Sequence, residues 1–138
     1  LEIILNILAE RSQKESILLD MDVEERSLHF ISDMDLTTIF SNLLDNAVEA
    51  CMKLPPEQRW IQLKLEQRMG LIRVRIQNSC LSEEEERKLP RDATARSHIG
   101  IGLSNVKMTV KKYDGTAEIH RGLERFDVLL IIPVPNSD

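Results

Sequence analysis

Residues 42–50 read Asn-Leu-Leu-Asp-Asn-Ala-Val-Glu-Ala, and they are the most informative segment of the 138-residue chain. Asn42 and Asn46 are four residues apart, so a helix places them one turn apart on the same face, which Glu49 continues. Asparagine is unfavourable inside helices because its side chain competes for backbone hydrogen bonds. The pair is therefore either part of a solvated polar face or a set of neutral oxygen ligands facing a cleft. An amide oxygen suits Mg²⁺ carried by nucleotide phosphates, which already supply most of the negative charge.

Hydrophobic periodicity along the rest of the chain predicts alternating helices and strands. We predict helices over residues 1–15, 35–53 and 100–113, and strands over residues 17–23, 27–31, 60–67, 71–76, 116–120 and 126–133. Ser32 or Asp33 is expected to cap the second helix. This order predicts an α+β fold, a two-layer α/β sandwich with a mixed, mainly antiparallel sheet covered on one face by helices.

Residues 78–98 interrupt this periodicity. They contain a run of four glutamates at 83–86 and Pro90, and the stretch from Asp92 to Ser97 has no apolar repeat. A loop of this length inside a compact domain is typical of a functional lid. We therefore expect a lid over about residues 81–98.

Composition limits the function classes. The length favours one domain spanning residues 1–138, and 42% hydrophobic residues suffice for one core. A net charge of −5 argues against general nucleic-acid binding, which needs a clustered surplus of Lys and Arg. Cys51 and Cys80 show neither metal-ligand spacing nor a disulfide framework, which is typical of a reducing cytosol.

Residues 99–103, Ile-Gly-Ile-Gly-Leu, lie between the expected lid and the third helix. Such a pair of glycines often marks only a tight turn. Where glycines begin a helix, however, the free N–H groups form an anion site, and the missing Cβ atoms let phosphate oxygens approach. Arg96 and His98 stand just before this motif, where a cation reaches the same phosphates.

Taken together, the segments NLLDNAVEA (42–50), Asn-Ser-Cys (78–80) and GIGLSNV (100–106) resemble the GHKL ATP-binding superfamily. That superfamily includes gyrase, heat-shock chaperone ATPases, histidine kinases and mismatch-repair ATPases. The chain is most similar to the catalytic domains of AgrC-type quorum-sensing receptor histidine kinases, in which the three motifs recur in this order. The resemblance covers essentially the whole chain and implies the Bergerat (GHKL) fold with ATP and Mg²⁺ as ligands.

The resemblance also implies roles for individual residues. Asn46 matches the Mg²⁺-coordinating asparagine, and Asn42 matches the position where hydrolytic members carry a glutamate general base. An amide cannot accept a proton at neutral pH, so Asn42 favours phosphoryl transfer over hydrolysis. Glu49 stands where many kinases have lysine.

The remaining implied contacts surround the nucleotide. Asn78 and Ser79 replace an Asp-x-Gly-x-Gly segment, and the Asn78 carbonyl is expected to accept a hydrogen bond from the adenine amino group. The phosphates are expected to meet Arg96, His98, Gly100, Ile101, Gly102 and Leu103.

The resemblance thus implies the catalytic domain of a two-component sensor histidine kinase, which transfers the ATP γ-phosphoryl group to a histidine on a separate domain. Dimerisation, phosphoacceptor and membrane sensor domains are expected upstream of Leu1. Without them the chain is not expected to phosphorylate itself. The expected partners are its own dimerisation domain and a cytoplasmic response regulator. The whole receptor is expected to be a membrane-anchored bacterial homodimer, with this domain in the cytoplasm.

Two alternatives stay open at this point. One is a GHKL ATPase or an anti-sigma-type kinase. The other is a pseudokinase that keeps the fold as a docking module for a partner without binding nucleotide.

Overall fold

The computed structural model describes residues 1–24, 28–90 and 93–135, and between residues 93 and 100 it describes the backbone only. Its helices are α1 (Glu2–Lys14), α2 (Asp33–Met52), α3 (Glu83–Arg87) and α4 (Ala93–Lys112), with a 3₁₀ turn at Pro56–Gln58. Its strands are β1 (Leu18–Val23), β2 (Trp60–Arg68), β3 (Leu71–Ser79), β4 (Thr116–Arg121) and β5 (Arg125–Pro133). None of the described helices is long and apolar enough to cross a membrane.

The strands described by the structure form one five-stranded sheet in the order β1-β2-β3-β5-β4. β1 pairs with β2 in parallel, and the other three pairs are antiparallel. Along β3, Ile72, Val74 and Ile76 are buried whereas Arg73 and Arg75 are exposed, so one face of the sheet carries the core and the other is polar. The predicted mixed sheet with helices on one face is confirmed.

Helix α2 supplies most of the helical side of the core. Ser32 caps its N-terminus, because the Ser32 Oγ accepts a hydrogen bond of 3.1 Å from the Asp35 N–H. The buried residues of α2 recur at helical spacing: Asp35, Leu36, Ile39, Phe40, Leu43, Leu44, Ala47, Val48 and Cys51. This stripe points to the sheet, so Asn42 and Asn46 lie beside it and are only half-buried.

The predicted strand over residues 27–31 is wrong for residues 28–31, and Ser27 lies outside the described residues. The Ile31 N–H donates to the Leu28 carbonyl at 3.0 Å, which makes a turn rather than a sheet ladder. Leu28 and Ile31 are both buried. Their apolar pattern therefore reflects two anchors of a turn and not a strand.

The prediction that the glycine motif begins the last helix is also wrong. α4 begins at Ala93, and α3 forms within the segment expected to be irregular. Ala93 and Ala95 favour helix, which lets α4 extend toward the N-terminus. Gly100 and Gly102 consequently lie inside α4, where backbone N–H groups bond to carbonyls four residues earlier and are not free to form an anion site.

Candidate functional site

A cavity of about 70 Å³ lies beside the polar face of α2. Asn46, Ala50 and Lys53 follow one another at i, i+4 and i+7, so all three line it from the same face of the helix. The other lining residues come from the end of β3 and the segment after it, from α3, and from the paired ends of β4 and β5: Cys80, Leu81, Glu86, Arg121 and Phe126. The cavity therefore lies between α2 and the paired ends of β4 and β5, with Glu86 of α3 also in its wall.

The two predicted asparagines occupy different environments. Asn46 is half-buried and lines the cavity. Asn42, one turn earlier, donates its Nδ2 to the Thr38 carbonyl at 2.7 Å. A Cβ atom on Gly102 would lie 3.0 Å from the Oδ1 of Asn42, so α4 packs closely over this amide. The absence of a side chain at Gly102 is what permits this close approach.

Asn46 fits a role as a magnesium ligand. It offers one neutral amide oxygen at a half-buried position that borders the cavity. Mg²⁺ prefers oxygen ligands and usually binds through a few protein groups together with phosphate oxygens and waters. The donor at Asn46 is therefore of the kind that a phosphate-borne Mg²⁺ uses.

Asn78 and Ser79 do not line the cavity. Asn78 is 1% exposed, and its Nδ2 donates to the Ser79 carbonyl at 2.9 Å. Its partner across the β3–β5 ladder is Phe126, which does line the cavity. The Ser79 Oγ accepts a 3.0 Å hydrogen bond from the Trp60 N–H and lies 3.7 Å from the Cys51 Sγ. Ser79 therefore links β3 to β2 and to α2. Asn78 lies beside the cavity-lining residue Phe126, which belongs to the neighbouring strand β5.

An ion cluster forms part of the cavity wall. The Glu86 carboxylate of α3 accepts hydrogen bonds from the Lys53 Nζ at 2.9 Å and the Arg121 Nη2 at 2.6 Å. The same Arg121 Nη2 donates to the Leu81 carbonyl at 3.0 Å. Burial raises the pKa of Glu86, but the two cations outweigh burial and hold it below its usual range. Glu86 is therefore ionised at neutral pH.

The two cysteines are free and buried, and Cys80 lines the cavity. Burial raises the pKa of both thiols above the usual value, although a Ser79 hydrogen bond at Cys51 and the Arg121 charge near Cys80 act in the opposite direction. Both are therefore neutral thiols at neutral pH and behave as small apolar residues.

The remaining predicted site residues are spread along α2 and α4. Glu49 is half-buried, one position before Ala50 on α2. Ile101 is 57% exposed, whereas Leu103 packs against the core. The side chains of Arg96 and His98 lie outside the described residues, and at Gly100 the structure describes the helical backbone alone. Nucleotide contacts at these positions stay predictions.

Sequence reasoning missed Lys53, Glu86, Arg121 and Phe126. Lys53 could have been identified from the sequence, because it follows Asn46 by seven residues on the same helical face. Arg121 and Phe126 are neighbours only through the β4–β5 register, which pairs them directly. Local sequence pattern does not contain that pairing.

These observations define an α/β sandwich domain whose candidate site lies between an asparagine-bearing helix and the segment that follows β3. The sequence profile of the GHKL domain matches residues 31–133, so the chain belongs to the GHKL family. The comparison with curated proteins found no match.

Solved structures of histidine kinases share the fold. The catalytic domain of histidine kinase ThkA superposes with a TM-score of 0.70 at 20% identity, covering 96% of this chain and 88% of that one. Histidine kinase AdeS of Acinetobacter baumannii gives 0.65 at 15% identity, covering 98% of this chain and 63% of that one. The kinase domain of the Erythrobacter litoralis EL346 blue-light activated histidine kinase gives 0.64 at 16% identity, with coverages of 95% and 59%. The fold is thus that of histidine kinase catalytic domains.

Proposed function

We propose that this chain is the ATP-binding catalytic domain of a sensor histidine kinase. It binds Mg·ATP in the cavity region between α2, the end of β3 and the lid, and presents the γ-phosphoryl group to a histidine on a separate domain. The observation that carries this proposal is the placement of Asn46 on the cavity wall, with Asn42 one turn earlier under Gly102.

Asn46 holds the metal in this proposal, and Mg²⁺ when bound neutralises the charge of the transferring phosphates. Asn42 orients the phosphate end of the nucleotide without acting as a base, because its amide cannot take a proton from water. One N–H of the Asn42 Nδ2 is used by the Thr38 carbonyl, and the Oδ1 of the amide faces Gly102 of α4. Catalysis by this domain is therefore positioning and charge neutralisation, and the nucleophile comes from elsewhere.

The other contacts follow the family pattern. The Asn78 carbonyl receives the adenine amino group, with Ser79 beside it, and Glu49 borders the nucleotide from α2. Gly100, Ile101, Gly102 and Leu103 contact the phosphates, together with Arg96 and His98. Since Gly100 and Gly102 lie inside α4 in this structure, these contacts require the first turns of α4 to rearrange when nucleotide binds.

We infer further that the receptor is of the AgrC quorum-sensing type. The domain then works with its own dimerisation and phosphoacceptor domain and with a response regulator, as the cytoplasmic part of a membrane-anchored homodimer. The order of the three sequence motifs supports this assignment.

The phosphoacceptor histidine in this proposal belongs to another domain. His120 is exposed on β4 and lies 3.5 Å from Glu118, in a strand rather than on the helix that carries a phosphoacceptor histidine in such kinases.

A pseudokinase docking module is the second candidate. The size of the cavity favours it, because about 70 Å³ is well below the roughly 300 Å³ at which ligand pockets begin. A GHKL ATPase or an anti-sigma-type kinase is disfavoured by the amide at Asn42.

Calorimetric titration with Mg·ADP and Mg·ATP tests the proposal. We expect saturable binding that requires Mg²⁺ and that Asn46→Ala abolishes, whereas Asp45→Ala, at the exposed next position, leaves it unchanged. No binding at millimolar nucleotide would establish the pseudokinase. Steady release of phosphate by the purified chain would establish an ATPase. Formation of acid-labile phosphohistidine on an added phosphoacceptor domain would support the kinase.

A further inference from the structure

The lid segment next to the cavity is attached to the body by charge rather than by apolar packing. No residue of α3 is buried, and Glu86 is its only half-buried side chain. A capping box between Ser82 and Glu85 stabilises the five-residue helix internally but does not attach it to its neighbours. The contacts that hold α3 in place are therefore those that its side chains make with the sheet and with α2.

Glu86 makes the shortest of these contacts, with two different elements, and the more exposed Glu83 adds a longer ion pair of 3.9 Å to Arg121. The Glu86 carboxylate binds Lys53 at the C-terminal end of α2 and Arg121 at the end of β4. The Glu86, Lys53 and Arg121 side chains are only 30%, 32% and 26% exposed, so the cluster is better shielded than an ordinary surface pair. Arg121 also holds the chain just before α3 through the Leu81 carbonyl. One carboxylate thus joins α3 to α2 and β4 beside the cavity.

The cavity below α3 is too small for a nucleotide in this arrangement. About 70 Å³ accommodates a few water molecules, whereas a nucleotide needs a pocket several times larger. Three lining residues, Cys80, Leu81 and Glu86, belong to α3 or to the segment that leads into it. The Cys80 N–H is bonded to the Glu124 carbonyl and stays with the β4–β5 hairpin, so outward movement of Leu81 and Glu86 with α3 is what enlarges the cavity.

We propose that Glu86, Lys53 and Arg121 form a latch that holds α3 over the cavity, and that this latch must open before a nucleotide enters. The proposal rests on the function proposed above. When only a fraction of the molecules is open, the apparent dissociation constant is raised by the inverse of that fraction. Opening the latch therefore increases both the apparent affinity and the association rate without adding any contact to the nucleotide.

Glu86→Gln and Lys53→Met weaken the latch from its two sides. Glu84→Gln is the matched control, because it removes the same charge from the same helix, and its partner Lys88 is another exposed residue of the lid segment. The first measurement needs no ligand: hydrogen exchange of the Glu86, Lys88 and Leu89 amides, which bond to Ser82, Glu85 and Glu86 carbonyls. We expect these amides to exchange severalfold faster in Glu86→Gln than in Glu84→Gln. Unchanged exchange would show that the ion cluster does not hold α3.

The second measurement is stopped-flow binding of a ribose-labelled fluorescent ATP analogue with Mg²⁺. We expect the association rate constant to rise roughly three- to tenfold in Glu86→Gln and to a smaller extent in Lys53→Met, with Glu84→Gln like the wild type. Slower or weaker binding by Lys53→Met would show that Lys53 contacts the nucleotide and would overturn the gating role. Faster amide exchange with no nucleotide binding by any variant would overturn the proposed function, and the gating role with it. Faster exchange together with unchanged nucleotide association would overturn the gating role alone.

Discussion

Asp35, in the first turn of α2, forms an ion pair with Lys112, the last residue of α4, at 3.0 Å from Oδ2 to Nζ. The neighbouring Tyr113 hydroxyl also donates to the Asp35 carboxylate and accepts a hydrogen bond from the Ser32 N–H. Since Asn42 meets Gly102 further along the same two helices, α2 and α4 run antiparallel and are joined at this end by one carboxylate. The helix that carries the glycine motif is thus anchored far from the cavity.

This carboxylate makes the stability of the domain depend on pH in the acid range. The hydrogen bonds from Tyr113 and Lys112 lower the pKa of Asp35 below 3.8, and burial only partly opposes them. A carboxyl whose pKa is lower in the folded state contributes its full stabilisation above its unfolded pKa and loses it as the pH falls through the folded value. We expect the melting temperature of Asp35→Asn to fall less than that of the wild type between about pH 5 and pH 2.

Asp33→Asn is the control for this measurement, because Asp33 is an exposed residue in the same first turn of α2. It should leave the acid dependence close to that of the wild type. Identical pH profiles for Asp35→Asn and the wild type would contradict the assignment. The ion pair between Asp35 and Lys112 also makes the stability depend on pH in the alkaline range, because the Asp35 hydrogen bond raises the pKa of Lys112 above 10.5. That contribution is complete below the unfolded lysine value and is lost as the pH rises through the folded one.

The elements that were predicted correctly are those in which local pattern and tertiary environment agree. The capped, apolar-striped α2 and the alternating strands β2 and β3 could be located within a few residues, because one face of each is buried in a single core. The strand prediction at residues 28–31 was wrong because a turn can bury two apolar residues, here Leu28 and Ile31, as well as a strand can. The start of α4 was missed because glycine weakens a helix without ending it, and packing against α2 determines the outcome.

For the candidate site, too, some features could be predicted from the sequence and others could not. The shared helical face of Asn42 and Asn46 could be predicted, because helical spacing alone places them there, and their contacts with a nucleotide stay a prediction. The latch could not be predicted, because Glu86, Lys53 and Arg121 are separated by more than thirty residues from one another and come together only after the sheet register forms. Charge runs such as residues 83–86 normally indicate solvated surface, and three of the four glutamates here are indeed exposed.

Gly115 should be the glycine least tolerant of substitution among those with described surroundings. A Cβ atom there would lie 2.7 Å from the Val110 Cγ1 and 2.8 Å from the Ile131 carbonyl oxygen, and the strand backbone cannot move aside cheaply. We expect Gly115→Ala to lower the free energy of unfolding by about 1–3 kcal/mol, as overpacking does elsewhere. Gly122→Ala should be nearly neutral, because its nearest neighbours would be at 3.5 Å or more. Equal urea denaturation midpoints for the two variants would refute this expectation.

Ser12 of α1 carries a hydroxyl that is buried and without a hydrogen-bond partner in the described structure. Replacing it by alanine removes the cost of dehydrating that hydroxyl and improves helix propensity, so we expect a gain of about 0.5–2 kcal/mol in stability. Ser104→Ala, at an exposed position on α4, measures the propensity contribution alone. Chemical denaturation should show a larger gain for Ser12→Ala than for Ser104→Ala. A loss of stability in Ser12→Ala would indicate that the hydroxyl is satisfied in solution.

Gly102 offers a way to separate stability from nucleotide binding. Alanine is more favourable than glycine inside a helix by about 0.5–1 kcal/mol. Its Cβ would, however, lie 3.0 Å from the Oδ1 of Asn42, so that this amide must shift by a few tenths of an ångström. The two effects oppose each other in the free energy of unfolding, and we expect Gly102→Ala to change it by less than about 1 kcal/mol.

The effect of Gly102→Ala on binding should be larger, because in the proposed function Asn42 orients the phosphates and Gly102 lies against them. We expect the dissociation constant for Mg·ATP, measured by calorimetry, to rise at least tenfold while the melting temperature stays within a few degrees of the wild type. Ser12→Ala serves as the control, because Ser12 lies on α1 and does not line the cavity. Wild-type affinity in Gly102→Ala would mean that the glycine motif serves only to pack α4 on α2, and its assignment to the phosphate site would then be withdrawn.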